Sequence, residues 1–155
     1  MDEDHYRQTY AQINDLRCVF EKSLQSRLSS CSQSHRFCLA DREGIACQLA
    51  LGNKRCTTLL GLIRHNANFA LGRARIESAL PHNQEIRVQN GGLLGIQRLL
   101  TNATTASPPA EPSISDIHEL ITQAIETFGS LESLPFDEIV KRIVSYEIKK
   151  RRRSG

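Results

Sequence analysis

The chain has 155 residues, of which 39% are hydrophobic and 24% are charged, so it is long enough and apolar enough to build one folded domain. Its formal net charge of +3 is too small to indicate nucleic-acid binding by itself. Its longest apolar runs are far shorter than the roughly 20 residues that a membrane-spanning helix needs, which argues against membrane insertion.

Apolar residues at spacings of three and four predict helices along most of the chain. The first predicted helix covers roughly residues 5–30, the second about 41–51 and the third about 53–71. Residues 73–91 contain Pro and Gly and are predicted to be irregular. A short fourth helix is predicted from Leu93 to Leu100.

The carboxy-terminal part begins with a segment rich in Thr, Ala and Pro, which predicts a linker at 101–112. Two further helices are predicted, at about 114–128 and 135–150, as a hairpin that covers the amino-terminal part. The chain is thus divided into a cysteine-containing helical domain (1–100), the linker and a hairpin with a basic tail (113–155), expected to form one compact unit.

The predicted fold class is therefore all-α, a small bundle of about six helices. Residues 86–88 could be extended, but they are too few to build a sheet. No other alternating pattern predicts strands.

The amino terminus, from Met1 to His5, is acidic and polar, whereas a secretory signal peptide has a basic start and an apolar middle. We therefore expect a cytoplasmic protein. Thiols in the cytosol are kept reduced, and five cysteines, an odd number, fit a disulfide framework poorly. The cysteines are thus predicted to be core residues, metal ligands or redox centres.

Four cysteines lie close together in the sequence. Cys31, Cys38, Cys47 and Cys56 have the spacing C-x6-C-x8-C-x8-C, whereas Cys18 lies beside the apolar stripe of the first helix and is interpreted as a core residue. An iron–sulfur cube is wider than a single ion and accepts thiolates from separate helices and loops. We therefore predict that these four residues hold a cluster, with [4Fe-4S] as the favoured type.

Three alternatives remain open for the cysteines, one of which is a redox or sensing role of the thiols themselves. His35 lies between Cys31 and Cys38, and these three residues could form a zinc site with Cys47 or Cys56. Free cysteine also behaves as a small buried hydrophobe, and in that case no metal is bound.

Two groups of cations accompany this pattern. The first group lies between the cysteines, where it would offset the negative charge of thiolates: Arg36, Arg42, Lys54 and Arg55. The second group is a basic run near the carboxy terminus: Lys149, Lys150, Arg151, Arg152 and Arg153. Such a run stabilises a helix end through the helix dipole, or contacts nucleic acid or an acidic protein.

No familiar catalytic motif is visible, since G-x-S-x-G, H-E-x-x-H and dinucleotide-binding fingerprints are all missing from the sequence. The sequence therefore predicts a small metal-binding protein with an electron-transfer, redox-sensing or accessory role beside a larger enzyme, and it leaves enzymatic activity undecided. The alternative is a metal-free or zinc-stabilised interaction module whose basic tail docks on nucleic acid or an acidic protein.

Overall fold

The computed structural model describes residues 2–71, 81–103 and 113–147. Its elements in chain order are α1 (Glu3–Ile13), α2 (Glu21–Gln25), β1 (Ser34–Leu39), β2 (Arg42–Cys47), α3 (Ala50–Ala70), α4 (His82–Ala103), α5 (Ile117–Phe128) and α6 (Phe136–Ser145). The prediction of an all-α fold is wrong, because β1 and β2 form a two-stranded antiparallel sheet. The fold is mixed α/β and rich in helix.

The sheet is a β-hairpin with a two-residue turn. Leu39 pairs with Arg42, and the two residues between them, Ala40 and Asp41, have φ values of 50° and 64°. Two consecutive left-handed residues are typical of a type I′ turn, which usually carries Asn-Gly or Asp-Gly. Ala is unusual at the first position, so the sequence lacks the common hairpin signal. The helix predicted at 41–51 is wrong for this reason.

The single helix predicted at 5–30 is also wrong, because α1 ends at Asn14. The Asn14 amide donates to the Tyr10 hydroxyl (3.0 Å) and to the Ile45 carbonyl (3.2 Å). An Asn side chain that forms such hydrogen bonds favours the end of a helix over its interior. After a turn at Asp15 and Leu16, the chain pairs with β2 through an isolated antiparallel bridge between Arg17 and Ala46.

A buried carboxylate joins α1, α2 and the hairpin. Glu21 is 7% exposed and accepts hydrogen bonds from the Tyr10 hydroxyl, from the backbone N–H of Ile45 (3.0 Å) and from the Arg17 guanidinium (2.7 Å). These bonds compensate the loss of water around the buried charge. The network therefore fixes the segment between α1 and α2 against β2.

One aliphatic core extends from Phe20 to Ile143 and includes residues of α2, β2 and α3 to α6. Within it, α4 packs most extensively on α6. A Cβ atom at Gly91 would lie 2.6 Å from the Ile143 Cα atom, so glycine lets the two helix backbones approach closely. The prediction of an irregular segment at 73–91 is wrong from His82 onward, because α4 begins there and contains Gly91.

Gly91→Ala is expected to lower the free energy of unfolding by roughly 1–3 kcal/mol, because the added methyl group meets α6 backbone. Gly61→Ala is the matched control, since Gly61 is exposed in α3 and a Cβ there meets nothing within 4 Å. The control should gain about 0.5–1 kcal/mol from helix propensity. Urea denaturation of both variants measures the difference. Equal changes would contradict close packing at Gly91.

α5 and α6 lie inside the two carboxy-terminal ranges where helices are predicted. α4 extends into the predicted linker as far as Ala103, and the remainder of that linker lies outside the described residues. The basic run from Lys149 to Arg153 also lies outside them, so its role stays a prediction. Within the described ranges, no helix has both the length and the apolar character to cross a membrane.

Candidate metal centre

The structure brings four of the five cysteines around one buried space, and they differ from the predicted four. Cys18, Cys31, Cys47 and Cys56 line a cavity between the hairpin and the first turns of α3 and α5. Cys38 lies on β1, is exposed and does not line that cavity. The thiol that the sequence interprets as a separate core residue, Cys18, is thus a member of the cluster.

Backbone pairing explains how Cys18 reaches this position. Its N–H donates to the Ile45 carbonyl (2.9 Å), and the N–H of Cys47 donates to the Leu16 carbonyl (2.7 Å). These bonds hold the segment before α2 against β2 in the manner of a third strand. Cys18 and Cys47 therefore lie on neighbouring stretches of backbone.

The other two thiols come from separate parts of the chain. Cys31 lies in the connection between α2 and β1, and Cys56 lies in the second turn of α3. The backbone N–H groups of Gln33 and His118 favour the thiolate of Cys31, although burial outweighs them and raises the pKa of this thiol. Hydrogen bonds to the sulfurs of metal-ligating cysteines are a known means of tuning such sites.

A second cavity adjoins the first and shares three of its thiols, those of Cys31, Cys47 and Cys56. Its wall also contains Arg55, from α3, and His118, from α5. Each cavity has a volume of about 20 Å³, which is room for about one water-sized sphere. A group as large as an iron–sulfur cube therefore requires the thiol side chains to rotate apart from this packing.

Burial disfavours the thiolate form of three of these cysteines, Cys18, Cys31 and Cys56. Burial raises the pKa of Cys18 to about 12, and negative charge on the neighbouring thiols raises it further. Burial likewise raises the pKa of Cys56 and of Cys31. A ligand that binds thiolates must therefore displace protons from the cluster.

The walls of the two cavities favour negative charge. The first turns of α3 contribute Gly52, Asn53 and Arg55, and the first turn of α5 contributes Ile117 and His118. A helix amino terminus carries partial positive charge, and it lowers the cost of a thiolate beside it. Among the described residues, no Asp or Glu lines either cavity.

His35, the alternative zinc ligand, is exposed on β1 and lines neither cavity. The histidine that does line the second cavity is His118. In the described part of the chain, no three His, Cys, Asp or Glu side chains form a ready-made site for a single metal ion. The four thiols thus surround a common space without converging on one point.

The metal-free, reduced protein is expected to lose stability as the pH rises above about 9. Below that pH the Cys18 thiol is neutral in both the folded and the unfolded chain. Above it, cysteines ionise in the unfolded chain while Cys18, with a folded pKa of about 12, stays protonated, so the free energy of unfolding falls.

Urea midpoints at about pH 8 and about pH 10 measure this loss. Cys18→Ser should show a smaller decrease than the wild type, whereas Cys38→Ser should match it, because Cys38 is exposed. A decrease of equal size in all three proteins would mean that other groups cause it.

Comparisons with known proteins identify no relative that assigns a function. No family model matches the chain, and neither a curated protein nor a solved structure matches it.

Proposed function

We propose that the chain binds an iron–sulfur cluster through Cys18, Cys31, Cys47 and Cys56 and uses it in electron transfer or redox sensing. The observation that carries this proposal is the cavity that these four half-buried thiols line together. Four thiolates are the complete protein ligand set of a [4Fe-4S] cluster. The cluster would supply reversible one-electron chemistry.

The spacing of the thiols supports a cluster in preference to zinc. A single zinc ion requires its sulfur ligands to converge at about 2.3 Å from one point. The described residues contain no such convergent group, yet the thiols of Cys18, Cys31 and Cys47 all raise the pKa of Cys56 through their charge. Sulfurs that are close without converging suit a ligand wider than one ion.

The surroundings of the thiols also suit an anionic cluster. Arg55 and the amino termini of α3 and α5 offset the negative charge of thiolate ligands. The backbone N–H groups of Gln33 and His118, which lower the pKa of Cys31 against the effect of burial, would favour a ligating thiolate in the same place. Because binding releases protons, the apparent affinity for the cluster should rise with pH.

Four protein ligands leave no coordination position for a substrate. Metal sites that act as Lewis acids keep an open position, whereas closed sites serve structure or electron transfer. The proposed ligand set is closed. It therefore supports an electron-transfer or redox-sensing role more than catalysis at the metal.

Anaerobic reconstitution tests the proposal. Reduced, metal-free protein is incubated with ferrous iron and sulfide, desalted and examined by visible absorption before and after addition of dithionite. We expect a broad visible absorption that bleaches on reduction, and Cys38→Ser should give the same spectrum. The proposal would be contradicted by protein that gains no visible absorption, or by protein that binds zinc and then no longer incorporates iron.

A further inference from the structure

The second cavity adjoins a part of α3 that carries an exposed apolar side chain and two cations. Leu51 is 55% exposed, and Lys54, one turn farther along the helix, is also exposed. Arg55 reaches from this surface to the cavity wall. We call these three residues the α3 face. Of the three, Arg55 lines the cavity that the thiols of Cys31, Cys47 and Cys56 share.

The cations of the α3 face have no carboxylate partners. Neither Lys54 nor Arg55 forms an ion pair within the described ranges, whereas Arg17, Arg36 and Arg42 each pair with a glutamate. Of the four cations that the sequence places between the cysteines, Arg36 and Arg42 are thus neutralised elsewhere. The other two, Lys54 and Arg55, have no such partner among the residues that the structure describes, and Arg55 lines the second cavity.

The position of these cations also disfavours a purely structural role. α3 begins at Leu49 without a side-chain cap, and its first turn has no acidic residue. Lys54 and Arg55 are the fifth and sixth residues of this 21-residue helix, far from the carboxy-terminal end at which the helix dipole would stabilise a cation. The described amino termini of α1 and α5, by contrast, have Asp caps and acidic first turns.

From this charge and exposure we infer that the α3 face docks an acidic redox protein, which exchanges one electron with the cluster. The inference rests on the proposed function. The electron leaves the reduced centre of the partner and reduces the oxidised cluster of this chain, or passes in the opposite direction, and no bond forms or breaks. Unpaired cations steer an acidic partner to the face, and the exposed Leu51 supplies an apolar contact.

The test measures the rate of electron transfer from a reduced, acidic plant-type ferredoxin to the oxidised, cluster-loaded chain by stopped-flow absorption. The wild-type rate should fall as salt is added, because charge screening weakens steering. Lys54→Glu should lower the rate roughly tenfold at low salt and flatten its salt dependence. The double variant Lys54→Glu/Arg55→Glu should lower it further.

The matched control is Lys141→Glu/Arg142→Glu, which makes the same charge change on two adjacent cations of α6. Neither residue lines a cavity of the candidate centre, so the control should keep most of the wild-type rate. The visible spectrum of each protein is recorded first. If the double variant loses its cluster, the test is the rate of the Lys54→Glu variant against that of the wild type, since Lys54 does not line either cavity.

Several results would overturn the inference. They are a wild-type rate that does not respond to salt, the absence of electron transfer from the ferredoxin to the loaded wild type at low salt, and equal rate losses in the Lys54 variant and the control. A wild-type chain that forms no cluster shows no visible absorption, and this is observed before any rate is measured. That failure refutes the proposed function and is thereby distinguished from failure of the docking face.

Discussion

Replacing Cys18, Cys31, Cys47 or Cys56 singly by Ser is expected to abolish the iron–sulfur cluster, and replacing Cys38 is expected to leave it intact. Each of the four thiols lines the shared cavity, whereas Cys38 is exposed on β1. Iron content and visible absorption after reconstitution report the cluster. Because a ligand that binds only the folded chain stabilises it, the loaded wild type should gain about 3 kcal/mol or more at saturation, and the four variants should lose that gain.

The comparison of Cys18 with Cys38 is the most discriminating part of this experiment. The sequence assigns Cys38 to the ligand set and leaves Cys18 outside it, and the structure reverses the two. A cluster that survives Cys18→Ser and disappears in Cys38→Ser would favour the sequence-based ligand set and contradict the one proposed from the cavity. Loss of folding in a variant is detected separately by far-ultraviolet circular dichroism.

Replacing Glu21 by Ala is expected to lower the free energy of unfolding by about 3 kcal/mol. The substitution leaves the buried Tyr10 hydroxyl without its carboxylate acceptor and the Ile45 N–H without a partner. Arg17 can return to water, since its side chain is 63% exposed. The same substitution should weaken cluster binding, because the network fixes the segment that carries Cys18 against β2.

Glu43→Ala is the matched control for this prediction. Glu43 pairs with Arg27 and Arg36, at 3.2 and 2.7 Å, and all three side chains are partly exposed. Surface ion pairs of this kind contribute about 0–1 kcal/mol. Urea denaturation of the two variants measures the difference. Similar losses at both positions would show that the buried network contributes no more than the surface pairs do.

The carboxy-terminal helices are the part of the fold that the sequence predicts best. α5 and α6 each have one regular apolar stripe, and their core residues, such as Ile121 and Ile139, are buried as that period indicates. The hairpin is missed because its turn is Ala40-Asp41, without the glycine that marks most two-residue turns. Helical period alone therefore predicts another helix in its place.

The sequence predicts three of the four cysteines that line the cavity, and it wrongly includes Cys38, which lies on β1. Ser34, at the start of β1, pairs with Cys47 and lines the cavity. Cys38 lies four residues farther along the strand, where it pairs with Glu43 near the turn, so it is too far along the hairpin to reach the cavity. Cys18 is missed because the predicted first helix continues through Asn14-Asp15, two weak helix formers that indicate a break.

The contribution of α5 to the site cannot be read from the sequence. His118 follows the cysteines by more than sixty residues and lies on a helix whose pattern shows only its buried stripe. Its N–H reaches Cys31 because α5 begins where the connection before β1 passes, with the Asp116 carboxylate accepting from the N–H of Ser32 (2.9 Å). Contacts across such a separation depend on the packing of the whole core.

Metal and sulfide analysis of the protein isolated without exposure to air tests the central claim most directly. Iron, zinc and acid-labile sulfide are measured per folded chain in the wild type, with Cys18→Ser prepared in parallel. We expect iron and acid-labile sulfide in equal amounts in the wild type and neither in the variant. Zinc in place of iron without sulfide, or a folded wild-type chain that contains no metal, would contradict it.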